Sequence, residues 1–326
     1  MRVLVTGGAG FIGSHLCDRL IGGGHQVVAL DNFSTGCRAN IAHLLDSPAF
    51  RMIEADVRDP ISCWEDSGPD LVFHLAAAVG VRTILEHPFE SLEVNLKGTE
   101  QVLAAATRWR SRLIVSSTAE VYGKNDAGPL SEQADRILGA GELARWWYAV
   151  AKMADEALAL ASCREGKLQA MVVRLFNTVG PRQSPAYGMV LPTLVRQAVH
   201  GERLTVFGDG EQMRCFTHVD DVVRALLALA ETPAAYGQVF NIGQSAEISI
   251  NDLAKRILKL TGSRSQIMHI SYEEAYDDSF EDMRRRVPDC SLLRKTIGFA
   301  PTNRLDEAIL ATANQYRRGL EPCAPV

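Results

Sequence analysis

The chain has 326 residues, 47% hydrophobic and 22% charged, with a net charge of −5. That length holds one large domain or two moderate ones, and the apolar content suits a globular enzyme. The pattern excludes several classes: no basic stripe favours nucleic acid, and no segment approaches the ~20 apolar residues of a membrane span. Nor does the N-terminus read as a signal peptide, because it enters a strand directly. Seven cysteines are dispersed without a Cys-x-x-Cys pair, which predicts reduced thiols, a cytoplasmic protein and no metal site.

Strands are expected near residues 2–6, 26–30, 51–55, 70–75, 112–116 and 169–175. Helices are expected between them, for example over 11–22, 89–107 and 148–163. The strands are apolar runs without alternation, as in a parallel sheet covered on both faces. This predicts an α/β fold: a doubly wound parallel sheet (Rossmann) over 1–176, then a smaller C-terminal lobe over 177–326 that binds substrate. Gly180-Pro181, Ser184-Pro185 and Leu191-Pro192 break the rhythm at the start of that lobe. The stretch 236–243 is expected to return a strand to the first sheet.

The first strand runs into Gly7, Gly10 and Gly13 and then into a helical pattern containing Phe11 and Ile12. Such a turn lets a pyrophosphate approach the backbone at a helix N-terminus. Asp31 ends the second strand, near the ~20-residue spacing of the acid that holds an adenosine ribose. Its carboxylate would repel a 2′-phosphate, and no arginine stands directly beside it, so NAD is favoured over NADP.

Tyr148 and Lys152 are four residues apart in a helical stretch and share a face. A nearby ammonium favours the phenolate and is expected to lower the tyrosine pKa, so that Tyr148 can take a proton from a sugar or alcohol hydroxyl. Upstream lies Ser116-Ser117-Thr118-Ala119-Glu120-Val121-Tyr122-Gly123. Buried His74 is read as a satisfied core residue.

These motifs resemble the extended short-chain dehydrogenase/reductases that modify nucleotide sugars. The matching segments also include Asp31-Asn32, Asp56 to Asp59, His74 to Ala77, Asn95 with Gly98-Thr99, and Arg174 to Arg182. The resemblance implies that Asn32, Ser34, Thr35, Asp56, Val57, Leu75, Ala76 and Thr178 join the glycines and Asp31 around NAD. It implies that Thr118, Tyr148 and Lys152 bracket the nicotinamide and the reacting carbon. It places Arg82, Asn177, Arg182, Arg214 and Arg286 at the sugar nucleotide, Arg214 facing a diphosphate. A homodimer built on the helices near 89–107 and 148–163 is implied as well.

Within that family, Glu120 beside Thr118, the segment Arg145-Trp146-Trp147-Tyr148 and the segment Phe280 to Asp289 resemble UDP-glucuronate decarboxylases. By that resemblance, Arg286 reaches the sugar carboxylate region and Glu120 orients or exchanges protons nearby. Ala119 stands where such enzymes often have serine, which leaves open release of a 4-keto-pentose beside UDP-xylose. The alternatives are a UDP-sugar 4-epimerase, with which Val79 to Arg82 is compatible, and a non-catalytic NAD-binding sensor, against which an intact Tyr148 and Lys152 argue.

Overall fold

The computed structural model describes residues 1–59, 68–80, 84, 86–186, 188–275 and 283–320. Arg82 and residues 280–282 therefore lie outside the described residues. The main sheet is built from β1 (Arg2–Thr6), β2 (Gln26–Asp31), β3 (Phe50–Glu54), β4 (Leu71–His74), β5 (Arg112–Thr118), β6 (Ala170–Leu175) and β11 (Val239–Ile242). Its order is β11-β6-β5-β4-β1-β2-β3, with every pairing parallel. The order reverses beside β1, and ligands of such sheets bind beyond the strand C-termini at that point.

Successive side chains of a strand point to opposite faces, and the core follows that rule. Val3, Val5, Val27 and Ala29 pack on one side with α1 (Phe11–Gly22) and α5 (Val219–Ala230). Leu4, Val28 and Leu30 pack on the other with α2 (Pro88–Trp109) and α3 (Trp147–Arg164). Both faces are thus buried, which is why the strands read as unbroken apolar runs. The expected return strand is β11, which joins β6 with Val239 opposite Val172.

The C-terminal residues form smaller sheets. β7 (Thr178–Val179) pairs with β10 (Thr217–His218), and β8 (Leu204–Phe207) with β13 (Ile267–Ile270). β9 (Met213–Cys215) lies between β12 (Glu247–Ser249) and β14 (Arg285–Arg286). A separate core joins α4 (Val190–His200), α6 (Ile250–Thr261) and α8 (Leu305–Arg317); α7 (Ser291–Ile297) packs on the main sheet's core instead. The Ser249 side chain caps α6 by accepting from Asp252 N–H at 3.0 Å, satisfying one orphan amide of the first turn.

Among the described residues no helix is long and apolar enough to cross a membrane. Cys17, Cys163, Cys215 and Cys290 are free thiols. Cys37 is disulfide-bonded, which corrects the expectation of thiols throughout: dispersion along the chain does not show which sulfurs the fold brings together.

Candidate active site

The glycine loop is shaped by close backbone approach. A Cβ at Gly13 would lie 2.0 Å from the Gly7 carbonyl oxygen, and one at Gly7 would lie 2.8 Å from Ala76 N. Gly7 also has φ +70°, a region that favours glycine. Helix α1 begins after Gly10 with no side-chain cap and no acidic residue in its first turn. Its amides are therefore left for an anion.

Asp31 sits behind this loop, its two carboxylate oxygens accepting from Ala9 N–H at 3.0 Å and Phe33 N–H at 2.8 Å. Burial raises its pKa while those amides pull the other way. Asn32 donates to Asp56 at 2.9 Å and accepts from the Ser34 amide and hydroxyl, so the loop through Thr35 is tied to the one carrying Val57. Val57 packs against Gly98 of α2, where a Cβ would lie 2.6 Å from its Cγ2. Leu75 and Ala76 follow β4, with the Ala76 amide donating to Thr6 Oγ1 at 3.2 Å. These residues fit a dinucleotide: an open helix N-terminus, a glycine cradle and a ribose acid.

Tyr148 stands on the first turn of α3 and Lys152 one turn later. Lys152 is 1% exposed and its Nζ has no hydrogen-bond partner among the described residues, although Asp155 Oδ2 lies 3.2 Å away. A buried ammonium with its hydrogen-bond donors still open is costly, and it is suited to hydroxyls of a bound ribose. The expected lowering of the Tyr148 pKa is corrected here. Burial pushes the phenol up, the carboxylates of Glu120 and Asp155 push it further, and Thr118 alone favours the phenolate. The physical reason is burial first, with Glu120 and then Asp155 adding to it.

Thr118 ends β5, and its hydroxyl accepts from Glu120 N–H at 3.2 Å, capping the 3-10 turn Ala119–Tyr122. That turn points Glu120 at two guanidiniums: Arg286 Nη1 donates to Oε1 at 2.5 Å, and Arg145 Nη1 lies 2.6 Å from Oε2. Arg145 comes from the 3-10 turn Ala144–Trp146 just before Tyr148 and is 7% exposed. Burial opposes the Glu120 charge, but Arg286 and Arg145 outweigh it and hold the carboxyl far below its ordinary range. Arg286 is fixed because its segment is laced to Leu130: Leu130 N–H donates to Val287 O at 2.8 Å and Asp289 N–H to Leu130 O at 2.9 Å. Its Nη2 meets only the Met283 sulfur, at 3.0 Å, and its Nε has no partner among the described residues.

Tyr148, Lys152, Thr118, Glu120 and Arg286 are thus brought together around one spot. Arg214 is the register partner of Arg286 across β9 and β14. Thr178 donates to Phe176 O at 3.3 Å, and Asn177 to Cys215 O at 3.1 Å. Arg182 turns toward α1, where its Nη2 pairs with Asp18 at 2.9 Å. Arg284 and Arg285 pair with Asp209 and Glu247. Sequence reasoning missed Arg145 and Asp155 as site residues. Arg145 was signalled only as part of the Arg145-Trp146-Trp147-Tyr148 segment, with no role given to it, and Asp155 only by its place three residues after Lys152.

A family model, NAD dependent epimerase/dehydratase family, matches residues 3–243. The chain belongs to that family. Its cofactor is NAD. The chain is 40% identical to the UDP-N-acetyl-alpha-D-glucosaminuronate decarboxylase of Bacillus cytotoxicus, over 97% of this chain and 98% of the relative. It is 36% identical to UDP-glucuronic acid decarboxylase 1 of Xenopus tropicalis, over 98% of this chain and 73% of the relative. Among solved structures, the UDP-glucuronic acid 4-epimerase of Bacillus cereus, with UDP-glucuronic acid and NAD, superposes with a TM-score of 0.87 at 31% identity. That match covers 98% of this chain and 99% of that one.

Proposed function

We propose that the protein is a NAD-dependent UDP-glucuronate decarboxylase that works through a 4-keto intermediate and yields UDP-xylose, UDP-4-keto-xylose or both. The observation that carries this reading is the state of Arg286. It is 5% exposed, its fork is half used by Glu120, and its remaining donors meet a thioether or nothing among the described residues. A buried guanidinium with open donors beside the catalytic tyrosine suits a carboxylate on the sugar. A neutral hexose offers it no such partner.

Each residue then has a task. Tyr148 takes the proton from the sugar O4, Thr118 favours the phenolate, and Lys152 holds the ribose hydroxyls beside it. NAD, when bound, supplies the oxidation of C4 to a ketone and its later reduction. The C5 carboxylate is then β to the ketone: the C5–C6 bond breaks, its electron pair passes into an enolate, and CO₂ leaves. Arg286, whose pKa burial lowers, returns a proton to C5. Glu120 stays ionised and orients Arg286 instead of exchanging protons. Arg214 faces the diphosphate.

The 40% identity to a decarboxylase named for a 2-acetamido uronate favours one second reading, the same reaction on that sugar. The likeness to a 4-epimerase supports epimerisation as the alternative. Mass spectrometry after incubation with UDP-glucuronate and UDP-N-acetylglucosaminuronate separates all three. Loss of CO₂ from the first supports the proposal, loss only from the second moves it to the acetamido sugar, and products of unchanged mass overturn it.

We assign the chain to the cytoplasm, where NAD and nucleotide sugars are at hand, and to a homodimer. Phe89 of α2 and Val150 and Leu158 of α3 are 74%, 46% and 44% exposed, an apolar surface that suits a second copy. Light scattering reading a monomer would refute the dimer.

A further inference from the structure

Asp155 is the most buried carboxylate near the reaction, at 0% exposed, and the chemistry so far gives it no task. Its Oδ2 lies 3.2 Å from Lys152 Nζ, one turn along α3. Burial pushes its pKa up, while Lys152 and then Thr99 of α2 favour its charge. Behind Thr99 lies a buried chain. Ala76 N–H donates to Thr6 Oγ1 at 3.2 Å, Thr6 Oγ1 meets His74 Nδ1 at 2.8 Å, and His74 Nε2 meets Thr99 Oγ1 at 3.1 Å. One arrangement satisfies every member: the Thr6 hydroxyl donates to Nδ1, and the Nε2 proton goes to Thr99. The Thr99 hydroxyl proton is then free to point at Asp155. Burial, with the Lys152 charge adding to it, pushes the His74 pKa down to about 3, so the ring stays neutral and keeps this tautomer.

We propose that Asp155 is a positioning residue for the Tyr148–Lys152 pair: 3.2 Å from Nζ, it pins the Lys152 ammonium and offsets its charge at the Tyr148 phenol. The chain starts at Ala76, which abuts Gly7 of the cofactor loop, and ends at Thr99. The inference rests on Tyr148 as the base of the proposed reaction. The groups acting on the phenol are Glu120 and Thr118 from β5 and the turn after it and Asp155 from α3, with Lys152 one turn along the same helix. Those facing Asp155 are Lys152 and Glu156 on α3 and Thr99 on α2, with neutral His74 behind. Glu156 is itself neutralised by Arg174 and Arg136. Asp155 is therefore the removable negative charge that does not also grip Arg286.

The test is a titration of the phenol in the NAD-loaded enzyme. Ultraviolet phenolate absorbance is followed against pH and compared with Tyr148→Phe, so that the other six of the seven tyrosines cancel. Asp155→Asn and Asp155→Ser both remove the charge. Each is expected to lower the midpoint by about one pH unit and to move the acidic limb of kcat/KM for UDP-glucuronate the same way. The titration needs no sugar nucleotide, so a wrong substrate assignment leaves its result standing. An unmoved or raised midpoint in both variants overturns the proposal. Failure of both to fold would assign Asp155 to the fold instead, and also overturns it.

Discussion

Arg286 Nη1 and Glu120 Oε1 meet at 2.5 Å across 166 residues of sequence. The contact joins β14 of the three-stranded sheet to the turn that follows β5 of the seven-stranded one. It fixes where a sugar carboxylate can be read, because the planar fork that Glu120 half fills is the one a uronate would complete.

Arg286→Lys keeps the charge and loses the fork. The expected result is a fall in kcat/KM of about 10²-fold or more, with NAD still present in the purified protein. Steady-state kinetics beside a nucleotide assay of denatured enzyme checks both. Wild-type kcat/KM in the lysine variant would deny Arg286 its role.

Glu120→Gln leaves two buried guanidiniums without their shared anion, a loss of about 3–5 kcal/mol at neutral pH. The folded-state pKa of Glu120 lies below its ordinary value of 4.5. Its stabilisation is therefore fully present above 4.5 and is lost as the pH falls through the folded value. Urea midpoints of wild type and variant should differ most near pH 7 and converge as the pH drops below 4.5. A gap that widens in acid would refute this electrostatic account.

Gly13→Ala places a methyl group 2.0 Å from the Gly7 carbonyl oxygen and 2.8 Å from its carbon. Both are backbone atoms that no rotamer change can move. The variant should lose bound NAD, as read from the nucleotide released per chain. Full NAD content would show that the loop is looser than its geometry implies.

Glu156→Gln tests the core behind the site. Glu156 accepts from Arg174 Nε and Nη2, both at 2.8 Å, and from Ser117 Oγ at 2.6 Å. Arg174 is 1% exposed and also donates to the Tyr122 oxygen at 2.9 Å. An uncompensated guanidinium there costs about 3–5 kcal/mol, readable as a drop in the denaturant midpoint. An unchanged midpoint would mean that the pair adds no net stability.

The parts of this site that are local in sequence were legible in it. Gly7 to Gly13 and Asp31 announce themselves by strand, spacing and helix. Tyr148 and Lys152 do so by one helical turn. Glu120 and Arg286 came from motif resemblance, since nothing in 166 residues of separation says that they touch. Arg145 and Asp155 escaped because their meaning depends on what folds against them, and no spacing rule reports that. The same blindness misjudged the Tyr148 phenol: the helical turn shows its lysine neighbour but not the burial or the two carboxylates that outweigh it. Arg182 illustrates the converse, since its motif points to substrate while its positive φ of 70° and its Asp18 partner turn it to α1.

The most direct measurement is to supply UDP-glucuronate labelled at C6 and trap the gas evolved. The account predicts that label leaves as CO₂ in step with formation of a pentose nucleotide, and that Tyr148→Phe slows both by about 10²–10⁴-fold. Label that stays entirely in a six-carbon sugar nucleotide while the substrate is consumed would contradict it.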